Sequence, residues 1–308
     1  MYDVNTVDVM EYKFSILIST YNRLHTSVNN LRSLDMGEIA RNKAQIIVIE
    51  NSPTIEIYNS LKKRETELLK IYYCKDAGLS NARNFGASRA IGEYLIFLDD
   101  DAFPEKGWLD SYSDFIKRNE TSVDILAGRI IPYYSSGKRP HWLPSNFEWI
   151  YGRLEYGSHI RPLNSKEVIN GGNFCIRRST FDELNGFNTM FGHVANQLGG
   201  GEEQNLLDRY RKVVDRPIYY IPGASVVHKF DENRLTLDWA KKRVSSATVH
   251  SHLRDLKNKP KYIIFAKICS YFIRFPFVDI LAQEQYKTYL KCARRSFLRD
   301  DKSKGVAQ

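Results

Sequence analysis

Short apolar runs alternate with amphipathic stretches from residue 14 to about residue 130. Phe14–Ser19 reads FSILIS and Gln45–Ile49 reads QIIVI, and Ile71–Cys74 and Tyr94–Leu98 (YLIFL) follow the same pattern. Each run is short, continuous and bounded by polar positions, which predicts strands buried on both faces. Between them, Arg23–Leu34, Thr54–Lys70 and Asn81–Arg89 carry helical spacing and composition, with Ser80 placed to cap the last. This alternation predicts an α/β fold built on an open, mostly parallel sheet with helices on both faces. Ligands of such sheets bind beyond the carboxyl ends of the strands, so chemistry is sought in the polar residues that follow each run.

The periodicity lapses over residues 130–170. There Pro132, Pro140, Pro144 and Pro162 accompany Tyr133, Tyr134, Trp142, Trp149 and Tyr151, the pattern of a long aromatic excursion or lid. The tryptophans and Tyr151 suit either stacking on sugars or core packing. Strand-like runs return at Asn173–Arg177, Ile218–Ile221 and Ala224–His228, with a helix expected near Glu203–Val213. Beyond about residue 235 the chain is basic, helical and aromatic, and Pro276 should break or kink any helix there.

A chain of 308 residues accommodates one large domain with an appendage, and its balance of apolar and charged residues is that of a folded globular protein. The net charge of +9, from 45 Lys and Arg against 36 Asp and Glu, suits an anionic partner without choosing one. Lys and Arg are dispersed and form no nucleic-acid motif, so nucleic acid is not an expected partner. The four cysteines are far apart, as expected of reduced core thiols in a cytoplasmic protein. The first residues resemble no signal peptide, and no stretch of roughly 18 residues is apolar enough to predict a spanning helix.

The segment Tyr94–Asp101 runs an apolar strand directly into Asp99, Asp100 and Asp101. On an extended chain Asp99 and Asp101 share a face and Asp100 points away. Two carboxylates so placed can address one hard divalent cation, Mn²⁺ or Mg²⁺, whose shell substrate phosphates complete; a solvated acidic turn would look the same. About a hundred residues later Gly199-Gly200-Gly201-Glu202-Glu203 opens a helix. Acids are favoured at a helix start by the dipole, and a carboxylate there could also take a proton from an attacking hydroxyl. His228 ends a strand, where a lone histidine is more often structural than a ligand.

Taken in order, these segments resemble glycosyltransferase family 2 over residues 12–235, which implies a Rossmann-like GT-A catalytic domain followed by a helical extension over 236–308. FSILISTYNR is similar to that family's first strand and nucleoside loop, which implies donor-binding roles for Thr20, Tyr21 and Arg23. IIVIENS is similar to the second strand, with Glu50 where the family more often has Asp. GLSNARNFGASRA resembles the helix that places an arginine, here Arg83, near the nucleotide. YLIFLDDDAFP is similar to the DxD strand, which assigns Asp99, Asp100 and Asp101 to donor and metal. GGNFCIRRSTFDELNGF resembles the acceptor-side segment, with Gly172 and Asn173. GGGEEQNLLDRYR is similar to the Glu-Asp motif, placing Glu202 on the acceptor side and Glu203 on the general base, again Glu for Asp. VVHKF is similar to the late strand whose histidine, here His228, completes the metal site.

The resemblance implies an inverting transfer from a nucleotide-sugar, a uridine one by family habit, to a hydroxyl of a glycan or lipid-linked saccharide. Two other readings stay open: a noncatalytic sugar-nucleotide or glycan-binding module, and a glycoside hydrolase, which also uses paired carboxylates. The C-terminal stretch 262–283, with Lys287, Lys291, Arg294, Arg295 and Arg299 after it, fits either helices packed on the catalytic domain or an in-plane contact with the cytoplasmic face of a membrane.

Overall fold

The computed structural model describes residues 12–119, 123–192, 199–258, 261–274 and 279–304. The expected strands form close to where the apolar runs lie: β1 (Phe14–Thr20), β2 (Ala44–Glu50), β3 (Leu69–Tyr73) and β4 (Tyr94–Asp99). Around them are α1 (Leu24–Ser33), α2 (Met36–Arg41), α3 (Glu56–Lys62) and α4 (Leu79–Ala87). These four strands pair in parallel in the order β3-β2-β1-β4. Every residue of β2 is buried, which explains the unbroken apolar run: neither face meets water, so no alternation is required.

The helix expected over Thr54–Lys70 is shorter, because α3 ends at Lys62. The backbone N–H of Thr66 donates to Leu69 O and the Leu69 N–H donates to Thr66 Oγ1, closing a turn, and Glu65 accepts from Ile71 N–H. Pairing of Leu69 and Lys70 with β2 overrides their helical propensity. Ser80 does not cap α4 either. Gly78 precedes that helix, and the Ser80 hydroxyl donates 2.7 Å to Phe191 O.

Beyond β4 the sheet becomes mixed. β5 (Ala102–Pro104), α5 (Trp108–Arg118) and β6 (Ile125–Pro132) are elements that the apolar pattern does not single out. The two-residue β7 (Arg161–Pro162), β8 (Asn173–Arg177), α6 (Arg178–Glu183), α7 (Glu202–Val213) and β9 (Tyr219–His228) follow. β9 merges the two expected runs into one strand, with a register shift opposite Gly128 and Arg129. The full order is β3-β2-β1-β4-β8-β6-β9-β5, with β7 on β9. β8 runs antiparallel to β4, so the residues leading into it arrive at the edge where the parallel strands end. β9 pairs antiparallel with β5 in the register Ala102↔His228, which brings the end of β9 beside the aspartates.

Two hydrophobic cores form among the described residues. The larger lies along the sheet and includes Phe97 stacked on Phe174 at 4.9 Å between ring centres. The C-terminal helices are α8 (Leu237–Asn258), α9 (Lys261–Arg274) and α10 (Ile280–Lys304), and the smaller core joins the aromatic excursion to α8 and α10. Leu143, Phe147, Ile150 and Tyr151 pack there with Phe230, Ala240 and Val244, and with Leu281 and Ala282 of α10. Tyr151 is its hub: it stacks on Phe230 at 4.6 Å and on Trp239 at 5.2 Å, and its hydroxyl donates to Arg234 O. Trp142 and Trp149 pack against the same core. Of the cysteines, Cys74 and Cys175 are buried, whereas Cys269 on α9 is exposed, unlike the core thiol expected. Pro276 lies outside the described residues. Among those described, no helix is long and apolar enough to cross a membrane.

The tightest backbone approach in the sheet is at Gly128, where an added Cβ would sit 2.3 Å from Tyr112 Oη and 2.6 Å from Ala224 O. Gly128→Ala should therefore lower the unfolding free energy by about 1–3 kcal/mol, as overpacking does, read as a lower midpoint in urea.

Candidate functional site

A cleft of about 630 Å³ opens at the carboxyl ends of β1 and β4. Parallel register puts Ser19 of β1 beside Asp99 of β4, and Thr20 beside Glu50 of β2, along one edge. Of the residues expected to bind, Thr20, Tyr21, Arg23, Arg83, Asp99, Asp100, Asp101, Gly172, Glu202, Glu203 and His228 line this cleft.

Just beyond the end of β4, Asp100 and Asp101 share the Arg23 guanidinium and take different further partners. Asp100 turns back under β1, where it accepts 2.7 Å from Thr20 Oγ1 and 3.0 Å from Arg23 Nη1. Asp101 accepts 2.8 Å from the same Arg23 nitrogen and lies 2.9 Å from His228 Nε2. Burial and the adjacent Asp101 charge raise the Asp100 carboxyl above its ordinary value. Burial also pushes Asp101 upward, but His228 and Arg23 overcome it and hold Asp101 well below the usual carboxylate range. His228 Nδ1 donates 2.7 Å to Tyr151 O, which fixes the ring and leaves Nε2 facing the acids. Burial would lower the histidine, yet the Asp101 carboxylate lifts it to about 9.

Ligand atoms of Asp99, Asp101 and His228 lie within 4.8 Å of one another. Two carboxylates and an imidazole on one small volume fit a divalent cation such as Mn²⁺ or Mg²⁺. Arg23 and the His228 proton supply positive charge to Asp101 in the structure as it stands.

Arg83 ties the second acidic motif to the first. Its Nη2 donates 2.9 Å to Asp99 Oδ1, and its Nη1 donates 3.1 Å to Glu202 Oε1 and 3.2 Å to Glu203 Oε1. Arg83 and Glu202 are buried; Glu203 is the more accessible of the two glutamates. Burial and the Glu202 charge raise the Glu203 carboxyl to about 7, against the pull of Arg83. The Gly171 N–H donates 2.9 Å to Glu203 Oε1. A Cβ at Gly171 would meet that oxygen at 2.2 Å and the Arg83 guanidinium at 2.4 Å, and one at Gly172 would meet Asp99 Oδ2 at 2.9 Å. The Gly171-Gly172 pair therefore lets backbone pass directly over the charged cluster, a role for the first glycine that the motif suggests only in hindsight.

Arg83 lines the cleft and is there the counter-ion to three carboxylates. Two expectations shift. Glu50 does not line the cleft, although Asn22 and Asn51 do. It is fully buried, its Oε1 accepting from the Ser52 and Asn22 N–H groups, while Oε2 has no hydrogen-bond partner among the described residues. Asn173, expected on the acceptor side, is buried in β8 with both ends of its amide in use. It accepts from Trp108 Nε1 and Tyr112 Oη and donates to the carbonyls of Arg129 and Ala224.

Residues that the sequence reading passes over complete the walls: Asn170, and from the C-terminal region Arg234, Trp239 and Arg243. Burial lowers the Arg243 guanidinium below its ordinary value despite the nearby Glu202 and Glu203 charges. A second cavity of about 570 Å³ adjoins, sharing Trp149, Ile169, Asn170, Glu203 and Arg243 with the cleft. Tyr156, Phe191 and His250 also line it.

Comparison with known proteins fits this geometry. The family model described as Glycosyl transferase family 2 matches residues 15–184. A glucosyl-dolichyl phosphate glucuronosyltransferase of Haloferax volcanii is 27% identical over 173 residues, 55% of this chain and 54% of that protein. The poly(ribitol-phosphate) beta-N-acetylglucosaminyltransferase TarS of Staphylococcus aureus is 25% identical over 117 residues, 37% of this chain and 20% of TarS. The chain thus spans about half the length of the first relative and less of the second. Among solved structures, the mannosyltransferase PcManGT of Pyrobaculum calidifontis, in complex with GDP-Man and Mn²⁺, superposes with a TM-score of 0.57 at 14% identity, covering 97% of this chain and 82% of its own. GalNAc-T7 with UDP, GalNAc and Mn²⁺ gives 0.53 at 17%, covering 79% and 48%. These likenesses establish the fold: mixed α/β, with a mostly parallel sheet flanked by helices, similar to GT-A structures.

Arg83→Gln should lower the unfolding free energy by about 3–5 kcal/mol, because it strands three carboxylates around a buried position. Denaturant unfolding at neutral pH reads this loss as a lower midpoint.

Proposed function

The chain belongs to glycosyl transferase family 2, and from that membership we propose that it transfers a sugar from a nucleotide-sugar to an acceptor hydroxyl with inversion. The observation that carries this reading is the single ion-paired cluster in which Arg83 joins Asp99, at the end of β4, to Glu202 and Glu203 at the start of α7. A donor-facing acid and a candidate base thereby share one cleft.

In this reading the nucleotide lies over the carboxyl ends of β1 and β2, against Thr20, Tyr21, Asn22 and Asn51, with Glu50 fixing the backbone of that wall. Uridine is the base we favour. Asp99, Asp101 and His228 would hold a divalent cation, which when bound stabilises the negative charge on the departing diphosphate. Arg23, itself paired with Asp100, holds Asp101 in place. The acceptor enters from the adjoining cavity, where Glu203 lies at the junction. Glu203 takes the proton of the acceptor hydroxyl while its oxygen bonds to the anomeric carbon. The bond from that carbon to the diphosphate oxygen breaks on the opposite face, and the nucleoside diphosphate leaves with the electron pair. One displacement of this kind turns an α-linked donor into a β-linked product. A carboxyl raised to about 7 suits a base working near neutrality.

The acceptor we propose is a glycan or lipid-linked saccharide. The name of the Haloferax volcanii relative, which includes a dolichyl phosphate, supports the lipid-linked form. Exposed Phe265 and Ile263 on α9 support a peripheral contact with a membrane surface.

Glu203→Gln should cut kcat by about 10²–10⁴-fold with nucleotide-sugar affinity retained; near-normal turnover would sink the base assignment. In the wild type, kcat/KM should climb as pH rises through about 7 and level off above it, because the ionised carboxylate is the active form. Treatment with EDTA should abolish transfer, and Mn²⁺ or Mg²⁺ should restore it. Activity that survives chelation would remove the cation from this account.

A further inference from the structure

Arg243, on α8, lines both the donor cleft and the adjoining cavity. Its Nη1 donates 2.7 Å to Gly199 O, and its side chain is partly buried. Three other arginines of the two cavities are matched by acids: Arg23 by Asp100 and Asp101, Arg83 by three carboxylates, and Arg153 by Glu148 and Glu155. Arg243 is not. Among the described residues no carboxylate lies within ion-pair distance of it, since Glu202 and Glu203 are turned to Arg83. Arg234 is similarly unmatched, but it lies over the Trp239 ring at 6.0 Å and does not line the second cavity.

A guanidinium withdrawn from water without a counter-ion is unfavourable unless an anion meets it, and its planar fork of donors matches the paired oxygens of a carboxylate or phosphate. The charge around it points the same way. Glu202 and Glu203 share one arginine with Asp99, so an acidic sugar beside them would be repelled if no further cation faced it. Arg243 supplies that cation where the sugar rings of donor and acceptor would meet.

We infer that Arg243 is a specificity-determining residue, which selects a sugar carrying a carboxylate or phosphate at the junction of the two cavities. This rests on the nucleotide-sugar reading above. The acidic group belongs to the transferred sugar or to the acceptor, and the two sources are separable by binding.

The test uses the full chain and calorimetry. One arm compares UDP-glucuronate with UDP-glucose. The other, at saturating UDP, compares a glucuronate-terminated disaccharide with its glucose-terminated counterpart. The wild type should prefer the acidic member by about tenfold or more in one arm, the size expected of a charge-assisted hydrogen bond. In Arg243→Gln the acidic-to-neutral ratio should fall to about one, and Arg243→Lys should keep part of the preference. A residue that merely anchors the Gly199 loop would weaken both members equally and leave the ratio unchanged, which would overturn the inference. So would a wild type that binds UDP but shows no acidic preference in either arm. Failure of the wild type to bind UDP or either sugar nucleotide would instead overturn the nucleotide-sugar reading.

Discussion

One buried guanidinium decides the shape of the cleft. Asp99, Glu202 and Glu203 converge from two elements that are remote in sequence, and like charges at such range repel strongly wherever water is excluded. Arg83 makes their approach tolerable by donating to all three. The glycine pair at 171–172 then covers the cluster at a distance no side chain would permit. Arg83 projects from α4, which packs on β1 and β2, so the charge arrangement inherits its precision from the sheet. Rigid support of this kind is what a proton-transferring carboxylate needs, since its reach is only a hydrogen bond long.

Much of this was legible beforehand. β1, β2 and β4 announce themselves because both faces are buried, which leaves apolar runs that no loop would carry, whereas β3 at the sheet edge exposes Lys70. Both acidic motifs and His228 were visible as strand or helix ends. What sequence could not convey was the partner of each charge. In one dimension Arg83 is one more polar residue of an amphipathic helix; in three it faces carboxylates 16 and 120 positions away. Asn173 follows the same logic, since a conspicuous polar residue beside two glycines proved to be a brace between strands. Glu50 likewise ends β2 where expected, yet spends one oxygen on local backbone.

The C-terminal helices are the other case. Lys241, Lys242 and Arg243 form one basic run, and nothing in the sequence says which side chain turns inward. Only packing decides it: Ala240 and Val244 are buried in the smaller core, which directs Arg243 toward the cavities. That core also explains the aromatic excursion. Tyr151 touches Phe230 and Trp239 with its ring and His228 with its carbonyl, so one residue aligns excursion, acid site and C-terminal helix.

The strand order also sets a timetable. A ribosome releases β1 to β4 first, and these can pair among themselves as they emerge. The acids at their edge must then wait: Asp101 meets His228 across 127 positions, and Arg83 meets Glu203 across 120. β9 enters between β6 and β5, late in the chain, and α8 brings the last wall later still. Contacts so distant in sequence form slowly, because the intervening chain must be ordered before they stabilise anything. The nascent protein therefore passes through a stage in which Arg23 and Arg83 already face the aspartates of the sheet edge, while Glu202, Glu203 and His228 have yet to arrive and the cleft still lacks its far walls.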